Sequence, residues 1–319
     1  MRGLSLRVGI ARAVNLAHPA RTNRGKNFVW PEAIAGAERH LGLNYTPGSI
    51  SASRSNPDIA CPDATKMFSS DVMHWDFALI LIFLATAVPL LGRRRIRQLM
   101  RMPETTKRDR LRLYASTVAF QWVAAAVVLW RANAHQIALA RLGVAIPKPE
   151  LTAIVSVVLA ALVLANQLVS LRHLATHPAE AQGVLPQLAL KIFPQDTVER
   201  VAFSAVVVTV TICEELIYRG FVQRVFEDWS GGLILAGIFG SAAMFAVAHL
   251  YQGKRGLLTT CVVGILFAAI RTWTGSLLAP LIAHFIADIT AGLLAPSRLR
   301  SALSSVVTAA ATTNLISMR

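Results

Sequence analysis

The 319-residue sequence is poor in charge: 15% of its residues are Asp, Glu, Lys or Arg, against 54% hydrophobic, and its mean hydropathy is +0.51. So little charge excludes an ordinary soluble domain, which needs far less apolar material to fill its core. It has three cysteines; Cys213 and Cys261 lie in apolar segments and Cys61 in a polar tail, so no disulfide framework is expected and these thiols read as small buried hydrophobes. There is no internal repeat of the kind that marks transporters built from two similar halves. Residues 1–66 contain no apolar run long enough for the central region of a signal peptide.

Long apolar runs are what the chain does have. A membrane-crossing helix needs roughly 20 mostly apolar residues, with nearby lengths accommodated by tilt. Seven windows qualify: Phe77 to Leu91, Tyr114 to Trp130, Leu151 to Leu171, Val201 to Phe221, Leu233 to Leu250, Leu257 to Trp273 and Ser276 to Leu294. Ser301 to Ile316 is a weaker eighth candidate, rich in Ala, Thr and Ser. The expected fold is an all-α, polytopic membrane helix bundle of about seven transmembrane helices, with the lipid bilayer as its first partner and a multi-pass place in the cell membrane.

The formal charge of +15 raises nucleic acid as a partner, but the basic residues do not form a groove-reading patch interleaved with aromatics, so no nucleic acid is expected. They lie between the apolar segments. The densest run, Arg93 to Arg112, marks a cytoplasmic loop by the positive-inside rule. Seven alternating spans then bring Arg172, Lys191 and Arg200, next Lys254 and Arg255, and finally Arg298 and Arg300 to that same side. The organisation expected is a polar, disordered extension over 1–66, N-terminal spans over 67–194, a region over 195–295 where the chemistry is concentrated, and a tail over 296–319. The acidic Asp71 and Asp76 suit the outer side, and Met67 or Met73 is an expected natural start.

Three places in the later spans carry ionisable groups, which cost several kcal/mol in hydrocarbon unless paired or facing a water-filled cavity. In CEELIYRGF, Glu215 and Arg219 are four apart and meet on one helical face, while Glu214 is rotated by about 100° and left without that partner. FAVAH ends in His249. HFIAD offers His284 and Asp288 from one face, a spacing that suits two ligands to a metal or a carboxylate orienting an imidazole. Taken separately these are an interfacial ion pair, an interfacial histidine and a core hydrogen bond. Taken together they read as one constellation: a zinc site with an open position for water, or a metal-free acid/base set. Either activates water against a peptide carbonyl.

At these residues the sequence resembles the CPBP family of intramembrane proteases, the CAAX protease and bacteriocin-processing group that includes the type II CAAX prenyl endopeptidases. EELIYR is similar to its EExxxR motif, FAVAH to FxxxH and HFIAD to Hxxx(N/D), in the family's order, with RGF, HLYQG and RTWTGSLLAP as flanking text. The resemblance runs over about 195–295. It implies a membrane endopeptidase acting on a membrane-associated or lipid-modified protein or peptide, with Glu214 as general base assisted by His249. His284 and Asp288 would bind a divalent metal such as zinc or stabilise the oxyanion, Glu214, His249, His284 and Asp288 forming the ligand set, and Glu215 and Arg219 would support the site. An ionised Asp288 cannot donate to an oxyanion as an Asn amide does, so ligation or histidine orientation is its expected role. A non-proteolytic immunity or scaffold protein is the alternative, and a transporter or proton pathway a third.

Overall fold

The structure, a computed structural model, describes residues 74–176 and 184–317. The polar extension over 1–66, Cys61 and both expected start methionines lie outside the described residues. Among the described residues every element is helical: α1 (Trp75–Arg101), α2 (Lys107–Ala134), α3 (Pro149–Thr176), α4 (Val184–Ile192), α5 (Thr197–Glu214), a π-helical segment (Glu215–Val222), α6 (Gln223–Trp229), α7 (Ile234–Ala248), a single 3₁₀ turn (Leu250–Gln252), α8 (Gly253–Thr274) and α9 (Leu278–Ser317).

Six stretches are long and apolar enough to cross a membrane: Trp75–Arg101, Lys107–Ala134, Pro149–His173, Thr197–Trp229, Gly256–Thr274 and Leu278–Ser301; α7 is a shorter apolar helix. Their outer faces carry bare Leu79, Ile82, Trp122, Val157, Leu162, Val201 and Leu258, a surface suited to lipid rather than water. The chain is a multi-pass membrane protein with the seven-helix bundle its sequence implies. The weak eighth window forms no helix of its own, because residues 301–316 continue α9 without a break.

Local sequence sets the helix ends. Thr106 and Asp109 close a reciprocal capping box at the start of α2, and Asp196 caps α5 by accepting from the Glu199 amide at 2.9 Å. These two starts are pinned together: Lys107 meets Asp196 at 2.7 Å, and the buried Arg110 donates to both oxygens of Glu199 at 3.0 and 2.8 Å. Lys191 reaches the carbonyls of Met102 and Pro103, and Leu299 packs on Ala189 and Leu190. The basic loops around 93–112, 191–200 and 298–300 therefore gather at one end of the bundle, as the charge pattern implies. At the other end Asp76 binds Arg131 and His135, Lys148 reaches the Trp273 carbonyl, and Arg271 reaches that of Arg141.

The main core lies between α1, α2, the π segment and α7, with Phe77, Leu84, Val128, Ile217, Phe221, Val222 and Phe245 buried together. Phe221 stands edge-on to Phe77 at 5.0 Å, which fixes the π segment against α1.

Candidate active site

The segment that looked like a single helix changes its winding at the site. From Glu215 the α-helix opens into eight residues of π-helix, a form found mostly as short insertions at functional sites. The turn is widest where the chain carries its charged side chains, and the bundle closes tightly over it. Arg219, Gly220 and Phe221 are buried, and a Cβ on Gly220 would stand 3.0 Å from the Leu142 carbonyl oxygen. Glycine is required there by the approach of the 138–143 loop, which accounts for the middle residue of the RGF text.

The two glutamates part company, as the spacing predicts. Glu215 is fully buried and its Oε1 accepts from Arg219 Nη1 at 3.1 Å and from His284 Nδ1 at 2.8 Å. The rest of the Arg219 guanidinium lies over the Phe245 ring at 4.0 Å, with Phe267 at 5.4 Å, so cation–π attraction covers the face the carboxylate leaves open. The phenylalanine of FAVAH thus has two tasks. Its ring covers Arg219, and its carbonyl oxygen accepts from His249 Nδ1 at 2.8 Å. A carbonyl only accepts, so Nδ1 carries a proton and Nε2 is the nitrogen turned away from this bond.

Glu214 is half-buried and faces elsewhere. Its Oε1 accepts from Gln121 Nε2, on α2, at 2.9 Å, and no cation pairs with it among the described residues. It lines a cavity of about 890 Å³ together with His249, Tyr218, Tyr251 and Gln121. The walls beyond these groups carry Leu84, Val88 and Leu99 from α1, Phe120 and Ala124 from α2, and Phe203 and Val206 from α5, with Arg94, Arg95, Gln98, Ser116 and Thr117 lining the same cavity from α1 and α2. Fourteen residues of α2 separate Gln121 from Lys107, which puts Glu214 about 21 Å along the helix from the basic end at 1.5 Å per residue. That lies inside a hydrocarbon layer roughly 30 Å thick. His249 reaches the same depth because α7 has only 15 residues and ends there.

The structure therefore sorts the six expected residues into two groups. Glu214 and His249 share the cavity. Glu215, Arg219, His284 and Asp288 form a chain beside it, with His284 between Glu215 and Asp288, the latter 3.5 Å from Nε2. His284 Nδ1 bonds to Glu215 and not to Glu214, while its Nε2 faces Asp288. Among the described residues no group of three His, Cys, Asp or Glu side chains could hold a metal ion, and the donor set as arranged does not fit one. Tyr251, between α7 and α8, has its hydroxyl pushed up to about 12 by burial; it is a neutral donor at physiological pH. Sequence reasoning missed Gln121, Phe245 as a ring partner, and Tyr251. A signal existed for the first, since Gln121 is the polar residue within AFQWVAAAVVLW.

Residues 197–290 match the model of the family described as type II CAAX prenyl endopeptidase Rce1-like. This part of the chain is similar to the Rce1-like family. The matched region runs from the first turn of α5 into α9 and contains all six site residues; α1 and α2, which wall the cavity, lie before it. A protein of Bacillus subtilis (strain 168), the uncharacterized protein YpbD, is 30% identical over 100 residues, covering 31% of this chain and 47% of that protein. The match spans less than half of that relative. No solved structure matches the chain.

Proposed function

We propose that the chain is an intramembrane endopeptidase that hydrolyses a peptide bond in a membrane-associated or lipid-modified substrate, with Glu214 as the general base. The observation that carries this reading is Glu214 itself: a carboxylate with no ion-pair partner among the described residues, set at bilayer depth in an 890 Å³ cavity that His249 also lines. A charge there is costly unless it is used. Glu214 takes a proton from a water held between it and His249, the water oxygen attacks the carbonyl carbon, and the tetrahedral intermediate collapses with cleavage of the C–N bond. The departing amine receives the proton that Glu214 took.

Stabilisation of the oxyanion falls to a donor in the cavity lining, for which the Tyr251 hydroxyl is the candidate. Glu215 and Arg219 act beside the cavity by fixing the His284 ring. The apolar wall residues from α1, α2 and α5 suit a lipid chain or a hydrophobic peptide, and the match of 197–290 to a prenyl endopeptidase family supports the same class of substrate. No step is routed through a metal ion, because among the described residues no three of these side chains are placed to hold one.

The test is proteolysis by the purified, detergent-solubilised protein on quenched fluorescent peptides bearing an S-alkylated cysteine, with metal content measured before and after chelation. Glu214→Ala is expected to abolish cleavage while leaving insertion and thermal midpoint intact, and wild-type cleavage is expected to survive chelation. Full activity in Glu214→Ala would defeat the assignment. Loss of activity on chelation, restored by one metal, would overturn the metal-free route.

A further inference from the structure

Gln121 is an expensive residue to place where it is. It sits midway along α2 between Phe120 and Trp122, which are 39% and 47% exposed, in a stretch otherwise made of apolar residues. An amide in hydrocarbon without a partner loses its hydrogen bonds to water and gains nothing in return. Gln121 is half-buried, lines the cavity, and finds its partner 93 positions away, on Oε1 of Glu214 at 2.9 Å. A carboxylate oxygen can only accept, so the amide NH₂ must be the group that faces it.

We infer that Gln121 is the positioning residue of the general base, holding one oxygen of Glu214 so that the other is presented to water. A glutamate side chain has several freely rotating bonds, and at the cavity wall no cation or backbone donor restrains Glu214 among the described residues. One hydrogen bond from a rigid helix removes most of that freedom. The inference rests on the reading of Glu214 as the base. It goes beyond that reading in one respect: α2 lies outside the region matched to the Rce1-like family, so residues 197–290 do not contain the complete site, and the N-terminal spans contribute to chemistry as well as to the wall of the cavity.

The test substitutes Gln121→Met, which keeps length and apolar packing and removes the donor. Steady-state kinetics on the S-alkylated peptides are paired with infrared difference spectra, in which the Glu214 carboxylate stretch is assigned by its loss in Glu214→Gln. The expected result is a carboxylate band displaced in Gln121→Met, kcat reduced about tenfold or more, as loss of a hydrogen bond to a charged group implies, KM within about twofold of wild type, and an unchanged thermal midpoint. A merely structural glutamine would lower the midpoint instead of splitting kcat from KM. An unmoved band overturns the proposal, as does a moved band with kcat intact, or a raised KM with kcat intact, which would make Gln121 a substrate contact. Should wild type cleave none of the peptides, the peptidase reading falls and the positioning role falls with it, while a displaced band would still establish the hydrogen bond.

Discussion

Replacing Arg219 by methionine attacks the joint on which the buried half of the site hangs. The side chains of Arg219 and Glu215 are both 0% exposed, and they meet at 3.1 Å. Removing one partner from such a pair leaves an uncompensated buried charge and costs about 3–5 kcal/mol. The contact with Phe245 at 4.0 Å is lost at the same time, a desolvated cation–π interaction worth about 2 kcal/mol, of which the methionine recovers part by packing on the ring. Arg219→Met is therefore expected to destabilise by about 4–6 kcal/mol, whereas Glu215→Gln, which removes the charge and keeps the shape, costs less because Arg219 keeps its aromatic cover. The double variant should be more stable than the sum of the singles requires, by about 2 kcal/mol, because the penalty for a lone buried carboxylate disappears with the carboxylate. Thermal unfolding in detergent reads this directly, each kcal/mol moving the midpoint by about 2–4 °C in a domain of this size. Additive effects, or a midpoint for Arg219→Met within a few degrees of wild type, would refute the description of Glu215 and Arg219 as a desolvated pair.

Two further predictions concern the frame around the site. At the basic end of the bundle, the Lys107 ammonium, together with the Glu199 amide that it caps, holds the Asp196 carboxyl below its ordinary value. The folded value is depressed, so the stabilisation is complete above the ordinary carboxylate range and is lost as pH falls through the depressed value; Asp196→Asn should lower the midpoint at neutral pH, converge with wild type in acid, and so flatten the acid limb of the midpoint-versus-pH curve below about pH 4. Gly220→Ala would drive a methyl group to 3.0 Å from the Leu142 carbonyl, and a cost of about 1–3 kcal/mol is expected from the overpacking; a midpoint equal to wild type would show that the 138–143 loop yields freely.

The long apolar helices, and the gathering of the 93–112, 191–200 and 298–300 stretches at one end, were legible because hydropathy is a property of consecutive residues and the bilayer imposes one length on a span. The pairing of Glu215 with Arg219 was legible for the same local reason, since four residues of helix bring two side chains together whatever surrounds them. The three motifs fall on the π segment and the end of α5, the end of α7, and α9. What they did not contain was their grouping. Sequence placed Glu214, His249, His284 and Asp288 in one constellation, while packing put His284 against Glu215 and left Glu214 to face α2.

That division is physical. A spacing of four is written into the backbone of a single helix, but the partner of a side chain on another helix depends on crossing angles and on the local winding that aims each residue. The π-helical turn from Glu215 to Val222 is such a feature: it satisfies its own hydrogen bonds less well than an α-helix does, and it stands because the core around Phe77, Phe221 and Phe245 holds it. The sequence by itself determined a polytopic helical bundle, its basic face, and a spare glutamate in the fourth span. Only the tertiary structure decided that this glutamate answers to Gln121, that its neighbour answers to Arg219 and His284, and that the cavity between them opens against the first two helices.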